Sequence, residues 1–445
     1  MGLWNALASI NNSCTIEIKN GNYIDVSNSG FLGLSQKTSS INLNNAIIAG
    51  STSVGRGALI DTLLYDAANF SKPIIYIRNR VNNQFSSNFA TEIENGNVGN
   101  RGVVLDLNSV VGEINLFKGL SLDTIPEYII EIMSYYISMD NAMEDFSLIW
   151  LDKIFDALKI SVPKEKFKVL KLGDYTFDWL KKKYDDLLSK NAVSMSEYQT
   201  LVSEWQRISG VYQMQMMKFC SFAKKIKANG LAKMLSGRLT LKQVFDNKMI
   251  VLINLSEGVK SKESKILLDL FLKRLIVEET NNAQGCVCMF EDVNVKECAQ
   301  NFIRLLQASQ AKGDNSNVFF TEPNISWWLD NSSSVTEHPA NYCNSFFVFK
   351  QNVPAALKYW SALSGATKKL EVSHNQAPMS SVYRLDPYSW TSIIFGHRMV
   401  YSGNSTKEVD TYRVEEHEID NLDDKSCISI LKMSEYIYNR KVRWL

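Results

Sequence analysis

The 445-residue sequence predicts an α/β fold with a mainly parallel sheet, interrupted by an all-α insertion domain. Three observations carry that expectation. Short apolar runs ending in Gly, Asn or Asp alternate with helical patterns near the start of the chain. A long middle stretch holds no strand candidate. The same alternation then resumes, as it would if one sheet were broken by an insertion. The texture sets the boundaries at 1–122, 123–241 and 242–445.

The first part opens with CTIEIK and NYIDV, which alternate apolar and polar residues around Asn20-Gly21 and predict a short hairpin. AIIAG, from Ala46 to Gly50, is an apolar run closed by glycine, and ALIDTLLYDAANF after it has helical spacing. PIIYIRN and GVVLDL read as two further buried strands. From Asp123 to about Leu241, segments such as IPEYIIEIMSYYISM and FDWLKKKYDDLLSK repeat apolar residues every three and four positions. MIVLINL then reads as a strand, SKILLDLFLKRLIVEE as a helix, and CVCMF as a strand leading to Glu291-Asp292. A helix from Lys296 to Ala311, the strands NVFF and CNSFFVFK, and the helix VPAALKYWSAL complete the order.

Composition bounds the function. Hydrophobic residues make up 45% and charged residues 21%, which excludes a disordered or fibrous chain. The formal net charge of +1 excludes a polycation, so any nucleic-acid contact has to come from a local patch. The seven cysteines form no CxxC pair and the four histidines are dispersed, so neither a zinc site nor a disulfide framework is expected. No run of about 18 apolar residues occurs, so the expectation is a cytoplasmic protein without a transmembrane segment of its own.

GSTSVGRG lies between a predicted strand and a predicted helix. Gly50, Ser51, Thr52, Ser53, Val54, Gly55, Arg56 and Gly57 therefore fit a phosphate-binding loop. Glycines let the backbone wrap an anion with its N–H groups inward, and the helix N-terminus adds favourable field. Arg56 stands at the basic position, where its planar fork reaches phosphate differently from a lysine ammonium. Gly57 lacks the hydroxyl that holds magnesium in such loops. The plain alternative is a tight βα turn with a surface arginine.

GSTSVGRGALIDTLL resembles the first motif of conjugative coupling proteins, the TraG/TraD-like branch of the HerA/FtsK P-loop ATPase superfamily. Gly57, Leu63 and Leu64 agree with that motif and Arg56 departs from it. GVVLDL resembles the strand that ends near an Asp-Pro-Lys-Gly turn, with Asp106 kept and Leu107-Asn108 in place of Pro-Lys. SGRLTLKQVFDNKMIVLINLSEGVKSKESKILLDLFLKRLI and YRLDPYSWTSIIFGHRMVYSGN resemble later segments of the family. The resemblance covers about two-thirds of the chain and implies a RecA-like P-loop NTPase domain. ATP and Mg2+ are its implied cofactors where nucleotide binding is retained.

In that frame Glu291 and Asp292 take the catalytic acidic place after CVCMF, with Glu291 as the metal ligand, but relatives read Asp-Glu and the order here is inverted. The longer Glu291 is expected to reach outward and the shorter Asp292 to fall short of a water. Thr321 and Glu322 stand where relatives carry a glutamine sensing the γ-phosphate, and Arg304 reads as a surface helix residue rather than an arginine finger. Four departures together point to a weak or non-hydrolysing ATPase-like component of a DNA-transfer or type IV secretion-like machine. Its partners would be other subunits of that complex, in a homo- or hetero-oligomer, at the inner face of the membrane. The alternatives are an active hexameric DNA translocase and a scaffold that has lost nucleotide binding.

Lys218, Lys224, Lys225, Lys227 and Lys233 lie in a stretch, Met217 to Arg238, without an acid, interleaved with Phe219 and Phe222. Such a face suits DNA phosphates, and the plain reading is a solvated helix face with its aromatics in the core. Trp327-Trp328 reads as a core or subunit contact.

Overall fold

The computed structural model describes residues 15–443 except 20–22, 30–35, 44, 52, 70, 80–86, 107–113, 121–123, 162–165, 256–260, 283, 294, 314–315, 324, 326–337, 378–399 and 433–436. Trp327-Trp328 and the whole of YRLDPYSW lie outside these residues.

The predicted hairpin forms from β1 (Thr15–Lys19) and β2 (Tyr23–Ser29), and a polar third strand, β3 (Gln36–Asn42), joins them in an antiparallel sheet. β3 reads QKTSSIN, without the alternation that marks a strand in sequence.

The main sheet gathers nine described strands. They are β4 (Asn45–Ala49), β5 (Ile74–Asn79), β6 (Gly102–Asp106), β7 (Ile250–Leu255), β8 (Val287–Glu291), β9 (Asn317–Glu322), β10 (Ser345–Val348), β13 (Ser426–Lys432) and β14 (Ile437–Arg443). Their order is β14-β13-β10-β4-β9-β8-β5-β7-β6. From β10 to β6 every pairing is parallel, while β13 and β14 are antiparallel additions at one edge. Between β10 and β13 stands a separate antiparallel ribbon of β11 (Ala366–Ala377) and β12 (Val400–Tyr412).

Parallel strands covered on both faces must be apolar throughout, and β4, β5 and β7 are buried along nearly all their length. Alternate residues feed two cores. Ala46, Ile48, Ile74 and Tyr76 join the core under α1 (Val54–Asn69) and α2 (Asn88–Glu94). Ile47, Ile75 and Ile77 join the larger core on the other face. Asn45 is the polar exception. Its amide donates to the carbonyls of Leu306 and Tyr342, and its oxygen accepts from Ser309 Oγ and Val318 N–H, so a fully buried side chain satisfies all four bonds.

The described residues from Thr124 to Lys248 contain helices and no strand beyond a single bridge. They hold α3 (Ile125–Tyr136), α4 (Asn141–Ile160), α5 (Phe177–Ser189), α6 (Met195–Val211), α7 (Gln213–Ala228), α8 (Leu231–Met234) and α9 (Leu241–Asp246). The bridge pairs Ile114 with Leu239, and Asn115 N–H donates to Leu239 O at 2.7 Å, so the block's entry and exit are tied together at the β6–β7 edge. Apolar residues of the block, including Phe146, Trp150 and Phe219, share one core with the sheet face that carries α10 (Ser261–Asn281) and α11 (Ala299–Lys312). Near the other edge lie α12 (Pro354–Leu363) and the short α13 (Glu416–Asp420). Among the described residues no helix is long and apolar enough to cross a membrane.

Candidate phosphate-binding site

The predicted loop stands where the sequence puts it, at the C-terminal end of central strand β4 and before α1. Gly50 leaves the strand at φ +124°, a conformation open to glycine, and a Cβ there would stand 2.9 Å from Phe349 Cβ. Its N–H donates to Glu322 O at 3.1 Å, which anchors the loop to the end of β9. Thr52 lies outside the described residues.

Arg56 is not a surface residue. It is 1% exposed, and its guanidinium turns back under the loop. Nη1 donates to Gly50 O at 3.2 Å and Nη2 pairs with Asp292 Oδ2 at 2.6 Å. Asp292 sits just past β8 at φ +52°, a left-handed conformation that turns its carboxylate toward the loop. Thr321 holds it there, because its hydroxyl accepts from Asp292 N–H at 2.7 Å and donates to Asp292 Oδ1 at 3.1 Å. The basic, acidic and sensor positions are thus brought together and joined to one another.

The loop's own donors are also engaged. Arg56 N–H donates to Ser53 Oγ, Gly57 N–H to Ser53 O, and Gly55 N–H to Asp424 O at 3.0 Å. Asp424 belongs to the turn before β13, whose backbone lies so close that a Cβ on Gly55 would stand 2.8 Å from Lys425 Cα. A phosphate in this cradle would have to displace that turn.

Glu291 corrects the expectation of an outward carboxylate. It is the last residue of β8 and shares the face of Val287 and Met289, so it points into the core, 5% exposed, and accepts a hydrogen bond from the Tyr76 hydroxyl. Burial raises its pKa above the ordinary carboxylate value, against the opposing influence of Tyr76 and Arg56, and burial raises Tyr76 in turn. These residues do not fit a magnesium ion. Gly57 offers no hydroxyl, Glu291 is turned inward to Tyr76, and Asp292 is bound to Arg56. Among the described residues no cluster of three His, Cys, Asp or Glu side chains is placed to hold a metal.

Beside this site is a cluster the sequence reading missed. Arg78, 4% exposed, donates through Nε to Asn254 Oδ1 and through Nη2 to Glu94 Oε1, both at 2.8 Å, and Asn254 Nδ2 donates to the same carboxylate. Its signal was an arginine inside the otherwise apolar PIIYIRN. Gln351 was missed as well. It is 5% exposed, and its Nε2 stands beside Gly50 without a hydrogen-bond partner.

The lysines proposed for DNA lie far along the chain on α7 and α8. Lys224, Lys225 and Lys227 are exposed, while Lys218 stands 3.6 Å from Asp140. The side chain of Lys233 lies outside the described residues. Phe219 and Phe222 are fully buried, so they offer no stacking surface to bases. Arg304 is an exposed residue of α11, as expected.

No protein-family model and no curated protein matches the chain. Solved structures do share its fold. The bacterial conjugative coupling protein TrwBdeltaN70, in its unbound monoclinic form, is 12% identical over 90% of this chain and 86% of its own, with a TM-score of 0.52. VirB4 of Thermoanaerobacter pseudethanolicus is 10% identical over 97% of both chains, with a TM-score of 0.51. The resemblance to coupling proteins therefore holds at the level of the fold.

Proposed function

We propose that this chain is a P-loop-fold component of a DNA-transfer or type IV secretion-like machine that hydrolyses ATP weakly or not at all. The observation that supports it most is the buried Arg56–Asp292 pair. In a working site the basic side chain reaches the β- and γ-phosphates and an acid holds the metal; here the two neutralise each other. Glu291, the remaining acid, points into the core against Tyr76, and burial raises its pKa above the ordinary carboxylate value, so it is turned away from the loop where a metal or water would sit. The coupling-protein fold supports the machine, and the helical block at 123–241 is read as its inserted domain. Other subunits of the complex are its partners, at the inner face of the membrane.

A second reading, a scaffold without nucleotide binding, is favoured by the Gly55 N–H already given to Asp424 O. Binding of a fluorescent ATP analogue with magnesium, by the protein and by Arg56→Ala, separates the readings. Weak binding lost in the variant, with negligible turnover, supports the first. No binding, and no nucleotide-dependent rise in melting temperature, supports the scaffold. Turnover that Arg56→Ala and Glu291→Gln each lower by orders of magnitude would overturn both.

A further inference from the structure

We infer that the exposed face of α7 is one half of a head-to-tail contact, and that the acidic turn around α13 of a second copy of this chain is the other half. No Asp or Glu occurs between Glu204 and Asp246, a stretch that carries eight Lys and Arg in a chain whose formal net charge is only +1. On α7 the buried residues Met216, Phe219, Phe222, Ala223 and Ile226 share one side. The opposite side presents Met214, Met217, Ser221, Lys224 and Lys225 at helical spacing. Met214 is 67% exposed, Met217 74% and the adjoining Val211 67%, and Lys224 and Lys225 have no acidic partner among the described residues. A helix face with apolar tips at one end and unopposed cations at the other is built for a surface that is apolar and acidic.

The chain carries such a surface. From Val414 to Asp424 it has no Lys or Arg, and Glu416, Glu418, Asp420, Asp423 and Asp424 are all exposed. Tyr412, four residues before α13 and next to the exposed Arg413, is an exposed apolar residue, and so is Val353, the N-cap of the helix packed on α13. Methionine against an aromatic ring is a favourable contact.

Topology keeps the two faces from meeting within one molecule. The helical block leaves and rejoins the sheet at β6 and β7, whereas the acidic turn leads into β13 near the opposite edge. At about 4.8 Å per strand, those edges are roughly 35 Å apart. Unlike patches on opposite ends of a molecule pair head to tail, giving rings or filaments rather than closed two-fold dimers. Asp424 O also holds Gly55 N–H, so such a contact would bear on the turn that covers the phosphate loop. The inference does not depend on whether that loop binds nucleotide.

Sedimentation velocity tests it, with the full chain at low and high salt. The expected result is association that grows with protein concentration at low salt and falls to monomer at high salt, since exposed charge pairs are screened. Lys224→Glu with Lys225→Glu should give monomer at low salt, and so should Glu416→Lys with Asp420→Lys. Mixing the two double variants should restore association, because each then meets its complement, and that recovery also shows that both are folded. Wild-type protein that stays monomeric throughout, or association untouched by either reversal, would overturn the inference. So would a monomer that binds duplex DNA or anionic vesicles through Lys224 and Lys225, giving the face to another occupant.

Discussion

Arg56 and Arg78 are both buried at the C-terminal ends of interior strands, and both are paired with carboxylates, yet their surroundings differ. Arg78 is clamped by Asn254 of β7 and Glu94 of α2, and Asn254 bonds the same carboxylate, so the three side chains close a triangle between fixed elements. Arg56 is held by a loop carbonyl and by Asp292, a residue already past its strand, in a left-handed turn and 28% exposed. The first pair is no more closed to solvent, Glu94 being 26% exposed against 28% for Asp292, but a third side chain, Asn254, bonds both of its partners. The second faces the loop whose N–H groups would cradle phosphate. A buried arginine is thus weak evidence for a ligand site, and what distinguishes the two is whether its partner can be exchanged.

That contrast can be broken by experiment, beginning with the largest effect. Arg78→Met should destabilise the protein by about 3 kcal/mol in chemical denaturation, because it removes a buried ion pair and leaves Asn254 Oδ1 buried without its donor. Phosphate or sulfate should recover none of the loss. Asp292→Ala should cost somewhat less, about 2 kcal/mol, since its carboxylate is partly solvated while the buried Arg56 loses the carboxylate that Nη2 donates to. Here added sulfate should recover part of the stability, as any ligand of the native state must. Equal behaviour of the two variants toward sulfate would erase the distinction. Gly55→Ala comes next, at about 1–3 kcal/mol, the scale of an added methyl in a packed site, because its Cβ would meet the Lys425 backbone at 2.8 Å. If thermal unfolding of Gly55→Ala matched wild type, the Asp423–Lys425 turn would be free to move and the cradle only lightly covered.

Much of this architecture was legible in sequence. The strands from β4 to β10 were marked because a central parallel strand must be apolar on both faces, and MIVLINL or AIIAG has no other economical reading. The helical block was marked by its long run of three-and-four spacing. β13 and β14 escaped, since SCISILK interrupts its apolar residues with serines that are buried in the sheet and IYNRKVR, at the edge, is largely polar. The site was legible as a set of positions but not as a bonding pattern. Gly50, Arg56, Asp292 and Thr321 were all singled out, yet nothing local shows that Arg56 folds back to Asp292, a partner 236 positions away. Glu291 failed for a sharper reason: its direction is fixed by the parity of β8, which sets it beside Met289 on the core face. Tyr76 and Arg78 find their partners, Glu291 and Asn254, only once β8 and β7 are placed beside β5.

Glu291 also yields the smallest predicted effect, one visible only through pH. Its pKa is raised in the folded protein because burial disfavours the charged carboxylate. The folded state therefore binds this proton more tightly than the unfolded chain does. The stability this contributes is fully present below the ordinary carboxylate value and is lost as pH rises through the raised folded value. Glu291→Gln keeps an acceptor for the Tyr76 hydroxyl and removes the charge. Melting temperatures across that range should show the variant gaining on wild type as pH climbs toward neutrality, with the gap closing in acid. A constant difference at every pH would mean that Glu291 stays ionised beside Arg56, and would return it to the acids available for chemistry at the loop.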